Sequence, residues 1–160
     1  IAVGTGAALE MGRRGDVDVL LVHHPQAEDD FVDSGYGINR TPLFFNYFIL
    51  VGPNGTRLGN YDSVIDYLAV IEREESVFFT RADESGTNMK ELSLWEKAGI
   101  IPDGSWYRET GSGMGATLRI ASEKQGYTIS DTATFRKLSA GGIIDLAVIN
   151  NHDKDLLNLL

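Results

Sequence analysis

Residues 77–99 read VFFTRADESGTNMKELSLWEKAG. Val77–Thr80 is a short run of β-branched and aromatic residues, the composition of a buried strand. Arg81–Gly86 gathers small and charged residues, as loops do. From Thr87 to Ala98 helix formers follow, with Met89, Leu92 and Trp95 on one stripe and Gly99 as a stop signal. A strand feeding a helix through a short polar loop is the repeating unit of α/β architecture.

Outward from this unit the same alternation recurs. Towards the N-terminus, Ile1–Val3, Val17–His23 and Leu43–Val51 read as strands, and Gly6–Arg14, Pro25–Ser34 and Ser63–Glu74 read as helices. Towards the C-terminus, Ser112–Lys124 reads as a helix, and Tyr127–Ile129 and Asp145–Ile149 as strands. The expectation is an α/β fold with a largely parallel sheet. Gly52-Pro53-Asn54-Gly55 is a clear turn and the expected lobe boundary. The expected organisation is residues 1–51 as part of a first lobe, 52–152 as a second, and 153–160 as the start of a return to the first. The chain opens on what reads as a strand already under way. It closes on Asp155-Leu156-Leu157-Asn158-Leu159-Leu160, so truncation at both ends is expected.

The 160 residues are 42% hydrophobic, enough for a packed core, and no apolar run has the length of a membrane span. Fourteen basic against 23 acidic residues give a net charge of −9, with no basic stripe to displace counterions from a nucleic acid. An anionic ligand remains compatible with this balance, because affinity comes from local donors and dipoles while long-range charge sets encounter rates. The absence of cysteine removes disulfides, thiol catalysis and thiolate metal sites.

Three junctions rich in Gly, Ser and Thr stand where a strand hands over to a helix. They are Val3-Gly4-Thr5-Gly6-Ala7-Ala8, Thr80-Arg81-Ala82-Asp83-Glu84-Ser85-Gly86-Thr87 and Thr110-Gly111-Ser112-Gly113-Met114-Gly115. A helix start carries free N–H donors and partial positive charge, glycine lets a ligand approach the backbone, and hydroxyls add donors. Arg81 adds a planar cation suited to an oxyanion. Ser and Thr are also ordinary helix caps, and Arg81 could instead form a surface ion pair with Asp83 or Glu84. Nucleotide motifs fail: Leu9 stands where a dinucleotide fingerprint needs its third glycine, and 111–117 lacks the lysine of a phosphate-binding loop.

Longer stretches carry a resemblance. Residues 1–25, IAVGTGAALEMGRRGDVDVLLVHHP, 84–100, ESGTNMKELSLWEKAGI, and 106–128, WYRETGSGMGATLRIASEKQGYT, together with LLVHHPQAEDDFVDSGYG and DKDLLN, resemble the tungstate-binding receptors of bacterial ABC transporters. These belong to the type II periplasmic-binding-protein superfamily. The resemblance implies a two-lobed, extracytoplasmic (periplasmic or secreted) receptor that closes on tungstate or molybdate and delivers it to a membrane permease. It implies that Arg81, Ser85, Gly86 and Thr87 contact the oxyanion, that Thr5 with Gly4 and Gly6 contributes from the other lobe, and that Gly113, Met114 and Gly115 line the cleft more loosely. The commoner family pattern Ser-Arg-Gly-Asp-Asp is Thr80-Arg81-Ala82-Asp83-Glu84 here.

Capture of this kind needs neither nucleophile nor cofactor, so no enzymatic activity is expected. Asp16, Asp18, Asp83 and Glu84 form no recognisable catalytic constellation, and no nucleophile elbow is present. The alternatives are a receptor for phosphate or sulfate, or a metal-binding protein using His23 or His24. Adjacent strand residues face opposite ways, which disfavours joint chelation by that histidine pair.

Overall fold

The computed structural model describes residues 3–22, 24–43, 45–56 and 58–159. Two units emerge, Ile1–Asn46 with Asn158–Leu160, and Tyr47–Leu157.

The first unit holds α1 (Thr5–Arg13) and α2 (Pro25–Asp33). Pro25 opens α2 where its missing N–H costs nothing. The His24 Nδ1 accepts the Ala27 N–H at 3.2 Å while Glu28 Oε1 accepts the His24 N–H at 2.6 Å, a reciprocal cap. The Arg13 guanidinium lies over the rings of Phe31 and Tyr36, 5.9 and 5.8 Å from their centroids. Among the described residues of this unit only Leu9 and Phe31 are buried. The expected strand Val17–His23 does not form over Val17–Val22, where Val19 is 85% exposed; His23 lies outside the described residues. A strand exists only through a partner, whatever its composition. Of the expected Ile1–Val3 strand only Val3 is described, and it is unpaired.

The second unit sets two sheets between two helical layers. In chain order its elements are β1 (Phe45–Pro53), α3 (Val64–Arg73), β2 (Phe78–Thr80), α4 (Gly86–Lys97), β3 (Tyr107–Glu109), α5 (Met114–Lys124), β4 (Thr128–Asp131), α6 (Thr132–Ala140), β5 (Leu146–Asn150), a 3-10 turn at Lys154–Leu156 and β6 (Leu157–Leu159). The division between units falls inside β1 and inside β6. The turn at 52–56 lies within the second unit and closes on a Thr56 N–H to Pro53 carbonyl bond of 3.2 Å.

β2 and β3 are parallel, with Phe78 opposite Tyr107, and Phe78 also bridges Tyr127 in parallel just ahead of β4. β1 runs antiparallel to both β4 and β5, with Leu50 opposite Ile129 and Val51 opposite Val148. The strands thus form a parallel two-stranded sheet, β2-β3, and a four-stranded sheet in which β1 is antiparallel to β4 and β5 and also pairs β6, linked by the isolated Phe78–Tyr127 bridge, where one largely parallel sheet was expected. β1 arrives directly from the first unit, with no crossover helix to impose a parallel direction.

Alternation along the strands sorts the core. Phe48, Leu50, Phe78 and Ile129 pack with Leu68 and Ile71 of α3 and Leu94 and Trp95 of α4. Ile49, Val51 and Phe79 pack with Met114 and Leu118 of α5 and Phe135 and Leu138 of α6. Each fully buried side chain, such as Leu118 or Phe78, contributes about 2 kcal/mol. Of the expected α4 stripe only Trp95 is buried: Met89 is 57% and Leu92 44% exposed, and the covered face is Thr87, Asn88, Glu91, Leu94 and Trp95. Of its three polar side chains, Asn88 and Glu91 sit on that face because their hydrogen bonds are made there, as described next.

Candidate functional site: two loops at one sheet edge

β2 and β3 are parallel neighbours, so the loops that leave their C-terminal ends emerge side by side. The Thr80 carbonyl fastens them, accepting both the Thr110 N–H at 2.9 Å and the Thr110 hydroxyl at 3.1 Å. Each loop then enters a helix, α4 after Ser85 and α5 after Gly113. In open α/β sheets this edge is where ligands bind.

The 81–85 loop is strained and charged. Ala82 and Glu84 take left-handed conformations, φ +48° and +57°, which non-glycine side chains adopt at a cost. The Arg81 side chain is only 15% exposed, and one terminal nitrogen pairs with Asp83. Its Nε–H is buried and meets no acceptor among the described residues. The other Asp83 oxygen accepts the Ser85 N–H at 3.2 Å. Burial opposes ionisation of Asp83, but the Ser85 hydroxyl and N–H and the Arg81 charge outweigh it and hold the carboxyl below its ordinary value. Ser85 caps α4, its hydroxyl accepting the Asn88 N–H at 3.3 Å. The N–H groups of Gly86 and Thr87 have no acceptor among the described residues, so two positively polarised donors stand free at this helix start.

Beneath the loop lies Glu91, 3% exposed. Its Oε2 accepts the Thr80 hydroxyl at 2.6 Å, and its Oε1 accepts the Tyr107 hydroxyl at 2.6 Å and the Trp95 indole N–H at 3.0 Å. Asn88 donates to the Thr80 hydroxyl at 3.1 Å and accepts the Glu84 N–H at 3.2 Å. Burial raises the Glu91 carboxyl above the ordinary glutamate value, although all four neighbours oppose the shift. Burial, and then the neighbouring Glu91, push the Tyr107 hydroxyl upward too.

The 110–113 loop is built differently. Gly111 supplies its left-handed turn at φ +56° without penalty. The Thr117 hydroxyl, fully buried, lies 2.9 Å from that of Thr110 and 3.3 Å from the Ser112 carbonyl. Gly113 starts α5 with no side-chain cap. A Cβ placed on Gly86 or Gly113 would meet nothing within 4 Å, so both helix starts face open space. Met114 turns its side chain into the core, and Gly115 packs towards Leu138.

The structure thus brings the second and third junctions together at one edge. The first, Gly4-Thr5-Gly6, belongs to the other unit, where Gly4 starts α1 without a side-chain cap.

A family model described as the PBP superfamily domain matches residues 1–158. The chain belongs to the PBP superfamily. A Haloferax volcanii protein provisionally named an ABC transporter anion-binding protein is 47% identical over 150 residues, 92% of this chain and 43% of its own length. The tungstate-binding protein TupA of Peptoclostridium acidaminophilum is 42% identical over 162 residues, covering 99% of this chain and 56% of that protein. A solved structure of the tungstate-binding protein TupA from Desulfovibrio alaskensis superposes with a TM-score of 0.90 at 41% identity, over 99% of this chain and 66% of that one. The resemblance read from the sequence holds. The chain spans about half the length of the curated relatives it matches.

Within this PBP domain, the sequence reading named Arg81, Ser85, Gly86 and Thr87, and Thr110 as part of the third junction, but not the buried side chains Asn88, Glu91, Tyr107 and Thr117 that bond beneath them. Asn88, Glu91 and Trp95 do lie at i, i+3 and i+7, a helix-face signal that an apolar-only template cannot register.

Proposed function

We propose that this chain is the anion-recognising part of an extracytoplasmic solute-binding protein that captures a tetrahedral oxyanion, tungstate or molybdate, for an ABC-type permease. The observation that carries this reading is the Arg81 side chain: a buried Nε–H without an acceptor among the described residues, in the loop that leads to the free N–H groups of Gly86 and Thr87. Charge-assisted hydrogen bonds of this kind contribute about 1.5–3 kcal/mol each, enough to hold an anion on a chain of net charge −9.

In this reading Arg81 is the clamp and Asp83 orients it. Ser85, Gly86 and Thr87 supply hydroxyl and backbone donors, and Gly113, Met114 and Gly115 contribute open backbone from the neighbouring loop. Gly4, Thr5 and Gly6, at the uncapped start of α1, are a further set of backbone and hydroxyl donors of the same kind. The ligand leaves unchanged, so neither an enzymatic step nor a cofactor enters.

The names of the relatives support tungstate over other anions. The test is a thermal-shift series with tungstate, molybdate, sulfate and phosphate on wild type and Arg81→Leu. Tungstate or molybdate raises the wild-type Tm by mass action, and the Leu variant does not respond. A wild type indifferent to all four anions removes the proposal, and a response to phosphate or sulfate alone reassigns the ligand.

A further inference from the structure

We infer that Glu91 is the positioning residue of the anion loop, fixing Arg81 and the strained backbone beside it through Thr80 and Asn88. The inference rests on the oxyanion reading for its functional half and on geometry for the rest. Glu91 is a carboxylate buried to 3% exposure, and among the described residues no cation forms a salt bridge with it. A core position that needed only volume would be filled more favourably by an apolar side chain, since an unpaired charge is expensive to bury. What Glu91 provides is acceptor-only character at a point where donors must be made to face one way.

The consequence runs outward through three bonds. Because Glu91 Oε2 can only accept, the Thr80 hydroxyl must donate to it, at 2.6 Å. The Thr80 oxygen then offers a lone pair, which takes the Asn88 amide N–H at 3.1 Å. That choice turns the Asn88 carbonyl oxygen towards the loop, where it accepts the Glu84 N–H at 3.2 Å. Glu84 is one of the two left-handed non-glycine residues, and Thr80 is the residue before Arg81. The carboxylate therefore sets both the start and the end of the segment that presents the guanidinium. Its other oxygen ties the same point to β3 and α4 through Tyr107 and Trp95.

Glu91→Gln tests this with minimal change of shape. Its carbonyl oxygen can keep Tyr107 and Trp95, but its amide facing Thr80 donates, so the Thr80 hydroxyl must reverse and Asn88 loses its fixed orientation. In the full chain, backbone amide exchange is followed residue by residue, and tungstate affinity is measured by calorimetry. The expected result is roughly tenfold faster exchange of the Glu84 amide, unchanged exchange in α5 and β4, and roughly tenfold weaker tungstate binding. Thr80→Val should reproduce both effects and Thr80→Ser, which keeps the hydroxyl, should restore wild-type behaviour. Wild-type exchange at Glu84 in both Glu91→Gln and Thr80→Val overturns the inference. So does acceleration spread evenly over the whole unit, which would make Glu91 a stability residue only. A wild type that binds no tungstate sinks the oxyanion reading, while the exchange pattern still decides what Glu91 does to the loop.

Discussion

The loops 81–85 and 110–113 leave adjacent parallel strands at the same edge, and both deliver the chain into a helix, yet they are made by opposite means. The first uses non-glycine residues in left-handed conformations, an ion pair and a buried carboxylate. The second uses glycine for its left-handed turn and a relay of hydroxyls for its bonding. The difference follows from what each must hold. Under the proposed function, a guanidinium aimed at a ligand needs a rigid mount, and strain is tolerated where surrounding bonds over-determine the backbone. A stretch that offers only open backbone needs room, which glycine gives.

The sharpest test of that contrast is Arg81→Lys set against Gly113→Ala. Lysine keeps the charge but cannot bond Asp83 and an anion through one planar fork. Tungstate affinity should fall by roughly 10- to 100-fold in calorimetry, the loss of one or two charge-assisted bonds. Gly113→Ala adds a methyl group into open space and should change affinity by about twofold or less. Equal losses from the two variants would erase the distinction between mount and opening.

Stability should divide the loops the other way. Thr117 is fully buried and its hydroxyl serves Thr110 and Ser112, so Thr117→Val leaves buried groups unpaired and should cost about 1–3 kcal/mol in urea unfolding. Ser85→Ala on the first loop removes one helix cap and should cost about 1 kcal/mol.

A pair of reciprocal substitutions probes the strain itself. Ala82→Gly relieves a φ of +48°. It should stabilise by roughly 0.5–1 kcal/mol, the left-handed penalty less the added freedom of the unfolded chain. Gly111→Ala imposes the same penalty at φ +56° and should destabilise by about 1 kcal/mol. Thermal unfolding of the two variants checks both signs, and an Ala82→Gly protein less stable than wild type would show that the loop is not strained.

Much of this was legible before any coordinates. Val77–Thr80 has strand composition, and Ser85 followed by a helical run has the form of a cap, so Arg81 and its neighbours could be placed at a strand end. The interior of the arrangement was hidden because hydrophobic periodicity assumes that buried means apolar. Met89 and Leu92 fit that template and are exposed, while Asn88 and Glu91 violate it and are buried, since their hydrogen bonds offset desolvation. The sequence reading named no element over α6, although Asp131 caps it and Phe135 and Leu138 anchor it. Val17–Val22 failed for another reason: its composition is that of a strand, but pairing is a property of two segments and cannot be read from one.

The smallest effect expected is also the one that separates the loop from its support. Asp83 has a folded pKa below its ordinary value of 3.8, so its native state binds its proton less readily than the unfolded chain does. Its stabilisation is present above that value and lost as the pH falls through the lowered one. Glu91 has a folded pKa above 4.5, so between 4.5 and the raised value the native state holds more protons than the unfolded one. The sign is then reversed: its contribution is fully present below 4.5 and declines as the pH rises through the raised pKa. Thermal unfolding of wild type, Glu91→Gln and Asp83→Asn between pH 7 and 3 should therefore give difference curves of opposite slope. Wild type gains on the Gln variant as the pH drops from neutral towards 4.5, and its advantage over the Asn variant fades only below 3.8. Parallel curves for wild type and Glu91→Gln would mean that the carboxylate is not desolvated. The case for an acid buried on purpose behind the anion loop would then lose its electrostatic half and keep only its hydrogen bonds.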